Sequence, residues 1–246
     1  MKVAALISGG KDSLYNMMCC QNAGHEIVCL GNLYPSAVGE IDSYMYQSVG
    51  SEGIEIIAKA LDLPLIRQEI RGTPKNLEMT YSKENGDEVE DLHLLMMQIL
   101  ERYPDIKGVS VGAINSTYQK ERVENICERF GIVPICLLWE RNQLELLDEM
   151  VNSGITAILI KVAAMGLNSE HLSKNLQEMR EHLLKMHEKY GSHVCGEGGE
   201  YESFVLDSPL HKKRIEIVDK ETVIHDKSDV APVSYLKLNK LRLVEK

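Results

Sequence analysis

The chain has 246 residues, 44% of them hydrophobic, and a formal net charge of -10 at pH 7. That length and apolar content are enough for a full core, as one large α/β unit or two coupled domains, and they exclude a disordered chain. The acidic balance, without a basic block, argues against nonspecific nucleic-acid binding, which needs Lys and Arg to neutralise phosphates. It favours a cationic substrate or partner, with a solvated acidic surface as the plainer alternative.

No run approaches the roughly 18 uninterrupted apolar residues of a membrane span, and the N-terminus lacks the apolar stretch and cleavage site of a signal peptide. A soluble cytoplasmic protein with no membrane partner is expected. Cys19, Cys20, Cys29, Cys127, Cys136 and Cys195 form no CxxC pair, which excludes a zinc ribbon or thioredoxin-like motif. They read as small buried hydrophobes. The histidines are too dispersed for a ligand set, and no HExxH occurs.

In chain order, apolar strand-like runs at 2–8, 26–33, 64–70, 108–114 and 133–139 alternate with helical patterns, the signature of βαβ units and a parallel sheet. Val89, Leu92, Met96, Ile99 and Tyr103 recur three and four apart behind the entry signal Gly86-Asp87, so that stripe is core. Near Arg141 a second part begins. A helix over 142–153 ends at Gly154, "TAILIKVAA" reads as a buried strand, and Leu172, Leu176, Met179, Leu183, Met186 and Tyr190 mark a long helix ending at Gly191. "RIEIVDKETVIHD" and "VSYLKLNKLRLVEK" then alternate with period two, predicting antiparallel strands. The expected division is a nucleotide-binding domain over 1–139 and a smaller α+β substrate-binding domain over 140–246. Segments 32–47 and 71–87 fit no element. Both follow strand ends at the edge where open α/β sheets bind ligands, and loops of that length are often lids or binding loops.

The loop "ISGGKDS" at 7–13 carries the chemistry. A helix N-terminus presents unpaired N–H groups and a partial positive charge, an anion site when the preceding turn lets a ligand approach. Gly9 and Gly10 permit that approach. Ser8 and Ser13 add hydroxyl donors and Lys11 a compact positive charge. This suits a phosphate chain, such as the pyrophosphate of a nucleotide. Asp12 would repel it unless Mg²⁺ lay between. Walker A spacing is absent, and Gly196-Glu197-Gly198-Gly199 lacks the third glycine and strand-to-helix setting of a dinucleotide fingerprint.

Ser8-Gly9-Gly10-Lys11-Asp12-Ser13, directly after a first strand, resembles the SGGxDS loop of the PP-loop ATP pyrophosphatases. The resemblance implies a five-stranded parallel sheet in the order 3-2-1-4-5 and cleavage of ATP to AMP and pyrophosphate. "GDEVEDL" at 86–92, "SVGAINSTYQKERVENIC" at 110–127, "LWERNQ" at 138–143 and "HVCGEGGEYESF" at 193–204 are similar to the diphthine–ammonia ligase family over essentially the whole chain. That family implies amidation of a diphthine carboxylate on translation elongation factor 2, with ATP and ammonium as co-substrates. Lys11 and Asp12 are then the expected catalytic residues. Ser8, Gly9, Gly10, Lys11, Ser13 and Gly112 are expected to bind nucleotide, and Asp12 to hold the Mg²⁺.

Arg122 either clamps a phosphate or the acyl-adenylate, or pairs with Glu121 or Glu124 at the surface. Glu197, Glu200 and Glu202 repel one another unless a cation relieves them: ammonium, magnesium or the trimethylammonium of diphthine. A solvated connector is the alternative. Because a quaternary ammonium donates no hydrogen bond, aromatic faces should hold it, and Trp139, closing strand five, and Tyr201 are the candidates. A core role for Trp139 stays open. The chain offers no separate glutaminase domain, so free ammonium is the expected nitrogen source. Two other readings remain: another PP-loop enzyme, such as a tRNA thiolase or small-molecule amide synthetase, and a nucleotide-binding module without catalysis. Neither paired cysteines nor a basic surface favours the thiolase, and no stable nucleic-acid partner is expected.

Overall fold

Val3, Ala4, Ala5 and Ile7 are buried, and the run that contains them is the central strand of a parallel sheet. A computed structural model describes residues 1–35, 43, 45–228 and 230–246. Part of the unassigned 32–47 segment therefore lies outside the described residues. In chain order the first elements are β1 (Lys2–Leu6), α1 (Lys11–Asn22), β2 (Glu26–Pro35), α2 (Ile54–Leu61), β3 (Leu65–Ile70), α3 (Glu88–Arg102), β4 (Gly108–Ser110), α4 (Thr117–Phe130) and β5 (Val133–Ile135). The five strands pair in parallel in the order β3-β2-β1-β4-β5, as the resemblance implied.

The chain packs as two compact units. One comprises Met1–Ser8, Asp12–Ser51 and Leu63–Trp139; the other comprises Gly9–Lys11, Glu52–Asp62 and Glu140–Lys246. In the first, Ala4, Cys29, Leu33, Ile66 and Val109 from the strands form one core with Val89, Leu92, Met96 and Ile99 of α3 and Val123 and Ile126 of α4. The α3 stripe is buried as its spacing predicted, and Asp87 caps the helix by accepting from the Val89 N–H at 2.9 Å. Tyr103 lies just past its end.

β4 and β5 are three residues each, shorter than expected. Beyond Ile135 a side chain replaces the ladder. The buried Asn16 amide of α1 donates to the Ile135 carbonyl (2.8 Å) and to Ser110 Oγ (2.7 Å), while its oxygen accepts from the Leu137 N–H (2.8 Å). Trp139 therefore sits on the turn after β5 rather than at its end.

The second unit adds α5 (Gln143–Asn152), β6 (Thr156–Val162), α6 (Leu176–Tyr190), β7 (Tyr201–Asp207), β8 (Arg214–Asp226) and β9 (Val233–Val244). Its strands form an antiparallel sheet in the order β7-β6-β9-β8, which matches the alternation of the tail sequences. Asn175 and Glu178 make a capping box at the start of α6, so Leu172 falls in the preceding turn. α2 packs in this unit: the Ala60 carbonyl accepts from the Lys212 N–H (2.6 Å), and the Glu52 carboxylate before it accepts from the Leu238 N–H (2.8 Å). Among the described residues no helix is long and apolar enough to cross a membrane.

Candidate functional site

The turn between β1 and α1 is built for close approach to backbone. Gly9 has φ +88°, a conformation that L side chains rarely adopt. Ser13, in the first turn of α1, accepts from the Ser8 N–H at 3.3 Å and closes the loop on itself. Gly112 follows β4, and a Cβ there would stand 2.6 Å from the Ser13 nitrogen and 2.7 Å from the Asp12 carbonyl carbon. Backbone cannot yield as a flexible side chain does, so only glycine lets this loop lie against the first turn of α1. A helix N-terminus of this kind carries a partial positive charge that favours an anion.

Lys11 is buried and anchored at both ends. Its backbone N–H donates to Ser203 Oγ (3.1 Å). Its ammonium donates to the Cys195 carbonyl (2.5 Å) and lies 4.8 Å from the centroid of the Tyr201 ring. Tyr201 is itself buried, and its hydroxyl donates to the Val194 carbonyl (2.9 Å). Tyr201 was expected to flank a substrate cation; the cation over its ring is the protein's own Lys11.

Two of the three neighbouring glutamates have partners within the protein. Glu200 accepts from the His193 N–H (2.7 Å) and the Gly198 N–H (2.8 Å), so its carboxylate shapes its own loop. Glu202 pairs with Lys161 of β6 at 3.1 Å. Glu197 is half-buried near His193, whose pKa is lowered by burial against the opposing pull of Glu197 and Glu200. The Glu200 and Glu202 carboxylates are thereby stabilised without a bound cation.

Arg122 is fully buried, contrary to the surface ion pair considered for it. One guanidinium nitrogen donates to the carbonyls of Asn76 (2.6 Å) and Glu78 (3.1 Å), and the other to Tyr118 (3.2 Å), with the Tyr118 ring against its face. One of these nitrogens is engaged by the 71–87 loop and the other by the carbonyl one turn back on α4. The loop is held elsewhere too. Asp87 accepts from the Lys75 and Asn76 N–H groups, and Asp91 from those of Arg71 and Gly72. Trp139 is half-buried against the first core, with the Lys120 ammonium 5.1 Å above its ring.

No thiol is prepared as a nucleophile among the cysteines with a shifted pKa. Burial pushes Cys29 and Cys127 up to about 12 and Cys136 to about 11. Two engaged residues were not singled out from sequence, Ser203 beside Lys11 and Asn16 between β4 and β5. Ser203 carried a usable signal, because period-two alternation along β7 places it on the same face as Tyr201. Asn16 carried none, since its partners lie about a hundred residues away.

Residues 1–134 match the family model of the diphthamide synthase N-terminal domain, and residues 142–238 that of the diphthamide synthase C-terminal domain. A diphthine–ammonia ligase of Homo sapiens is 53% identical over 251 aligned positions, covering 100% of this chain and 94% of that protein. The Danio rerio protein of the same name is 52% identical, covering 100% and 98%. The Schizosaccharomyces pombe protein is 51% identical, covering 97% of this chain but 39% of that longer one. By full-length similarity and by both domain matches, the chain belongs to the diphthamide synthase family of diphthine–ammonia ligases.

Proposed function

We propose that the chain amidates the carboxylate of diphthine on translation elongation factor 2 with ammonium, consuming ATP and releasing AMP and pyrophosphate. A carboxylate is a poor acyl donor because oxide would have to leave. Its oxygen therefore attacks the α-phosphorus of ATP, the bond to the bridging oxygen breaks, and pyrophosphate departs with that electron pair. Ammonium sheds one proton to become the nucleophile, adds to the acyl carbon, and the carbon–oxygen bond to AMP breaks. Loss of a second proton from nitrogen leaves the amide.

The Ser8–Ser13 turn is assigned to the departing pyrophosphate. The N–H groups of the first turn of α1 beyond that of Lys11, which Ser203 takes, and the Ser8 and Ser13 hydroxyls meet its oxygens, Gly9, Gly10 and Gly112 allow the approach, and Lys11 offsets charge building on the bridging oxygen. Asp12 is assigned to Mg²⁺, whose chemistry is to neutralise phosphate charge. A carboxylate is the ligand type that suits this hard cation, and Asp12 would supply it. Glu197 is assigned to the trimethylammonium of diphthine, and residues 140–246 to substrate recognition. Arg122 acts on the 71–87 loop in this reading. A cytoplasmic location follows from the substrate.

The observation that carries the reading is the full-length similarity to diphthine–ammonia ligases together with the glycine-lined turn at the start of α1. The test combines the chain, ATP, Mg²⁺ and ammonium with diphthine-bearing elongation factor, and measures AMP and amide. Equal amounts of both are expected, with a loss of about 100-fold or more in turnover for Lys11→Ala at unchanged circular dichroism. AMP without amide, or parental turnover in the variant, contradicts the assignment.

A further inference from the structure

Lys11 carries a long flexible side chain, and a charge that acts on one oxygen must be held in one place before the reaction begins. β7 supplies two residues of one face for this purpose: Ser203 takes the lysine's backbone N–H, and Tyr201 lies under its ammonium. The ring is fixed in turn. Its hydroxyl is bonded to the Val194 carbonyl, and the Val194 N–H donates to the side chain of Gln143 (2.8 Å). Gly196 has φ +76°, and a Cβ there would stand 2.8 Å from the Tyr201 carbonyl oxygen and 3.0 Å from two ring carbons, so glycine alone lets the 193–200 loop close over the ring. That same closure aims the Cys195 carbonyl at the ammonium.

We propose that Tyr201 is a positioning residue for Lys11: its ring face and the Cys195 carbonyl fix the ammonium from two sides and set where its charge meets the phosphate chain. This inference rests on the assignment of Lys11 to the pyrophosphate. The acidic glycine-rich loop then has a second task besides any contact with diphthine, because it completes the nucleotide half of the site. The ring acts through its negatively charged face, so phenylalanine should serve and an aliphatic residue should not.

The test measures pyrophosphate release by the full chain with elongation factor carrying diphthine, separating kcat from KM for ATP. Tyr201→Leu should lower kcat about tenfold or more while KM for ATP stays within about twofold, because ground-state binding belongs to the backbone donors. Tyr201→Phe should keep at least about half of the parental kcat. In a Lys11→Ala background, Tyr201→Leu should cost nothing further. A parental kcat in Tyr201→Leu overturns the proposal, and so does an equal loss with and without Lys11. Should Tyr201→Leu fail to fold, Tyr201→Phe decides by itself, since a tenfold loss there removes the role of the ring face. Parental turnover in Lys11→Ala alone would instead sink the assignment of Lys11, which keeps the two failures distinct.

Discussion

His211 shows what burial does to a single titrating group. Its Nδ1 lies 2.7 Å from Ser208 Oγ, while Nε2 is buried with no hydrogen-bond partner. Burial, aided by Lys246 and opposed by Asp207, pushes its pKa down to about 4 from the usual 6.5. The folded chain then binds fewer protons than the unfolded one between those two values. The stabilisation from keeping His211 neutral is complete above about 6.5 and is lost as the pH falls towards 4, by up to about 3 kcal/mol. His211→Gln removes this titration. Its unfolding midpoint should fall less than the parent's between pH 7 and pH 5, measured by denaturant melts at both values. At this scale the six residues from Ser8 to Ser13 are legible because they are consecutive and form one short turn between a strand and a helix. The partner that fixes Lys11 was not, since Tyr201 lies far along the chain and only the packing of β7 brings the two together. The sequence marks its aromatic face as a seat for a substrate cation, and in the structure the Lys11 ammonium lies 4.8 Å from the ring centroid.

Segment 71–87 was legible as a loop and no further, because its order comes from side chains on two helices that follow it. Arg122 and Asn125 of α4 and Asp91 of α3 bond its backbone, as does the α3 cap Asp87, and Tyr81 is buried with its hydroxyl donating to Glu90 (3.1 Å). Leu77 and Met79, on either side of the Glu78 carbonyl held by Arg122, are 59% and 70% exposed. The loop is thus pinned at its base and middle while its tip faces solvent. Arg122→Met keeps much of the volume but strands the Asn76 and Glu78 carbonyls, which costs about 2 to 4 kcal/mol. Faster backbone hydrogen exchange confined to 74–82, with β1 and β2 unchanged, is the expected result; uniform protection would show that Asp87 and Asp91 suffice. The helices α3 and α6 were legible for the opposite reason, since their apolar stripes pack locally and repeat at helical spacing. β4 and β5 were overextended from sequence because apolar runs do not reveal that the Asn16 side chain takes over beyond Ile135.

The second unit is not one continuous stretch of chain. Composition changes near residue 140, and sequence alone places a boundary there, whereas packing gathers Glu52–Asp62 and Gly9–Lys11 with Glu140–Lys246. The long connection from β2 to β3 explains why no local signal gives this away: α2 has the length and apolar face of an ordinary crossover helix. Ile54, Ile57, Ala60 and Leu61 are buried on that face, and Gly53 before it would meet the Phe204 ring at 2.4 Å if it carried a Cβ. The backbone of the unit depends on these segments as well, through Gly9 to Val205, Ala60 to Lys212 and the Glu52 carboxylate to Leu238. A fragment of 140–246 therefore keeps its antiparallel sheet pattern yet lacks part of its core. Removing three large apolar side chains from their burial forfeits on the order of 5 kcal/mol, comparable to the stability of a small domain. The fragment should show no cooperative thermal transition by circular dichroism. Adding a peptide of residues 50–63 in excess should restore one, with a midpoint that rises with peptide concentration. The same peptide with Ile54→Asp and Ile57→Asp should not, because it keeps the length and loses the buried face.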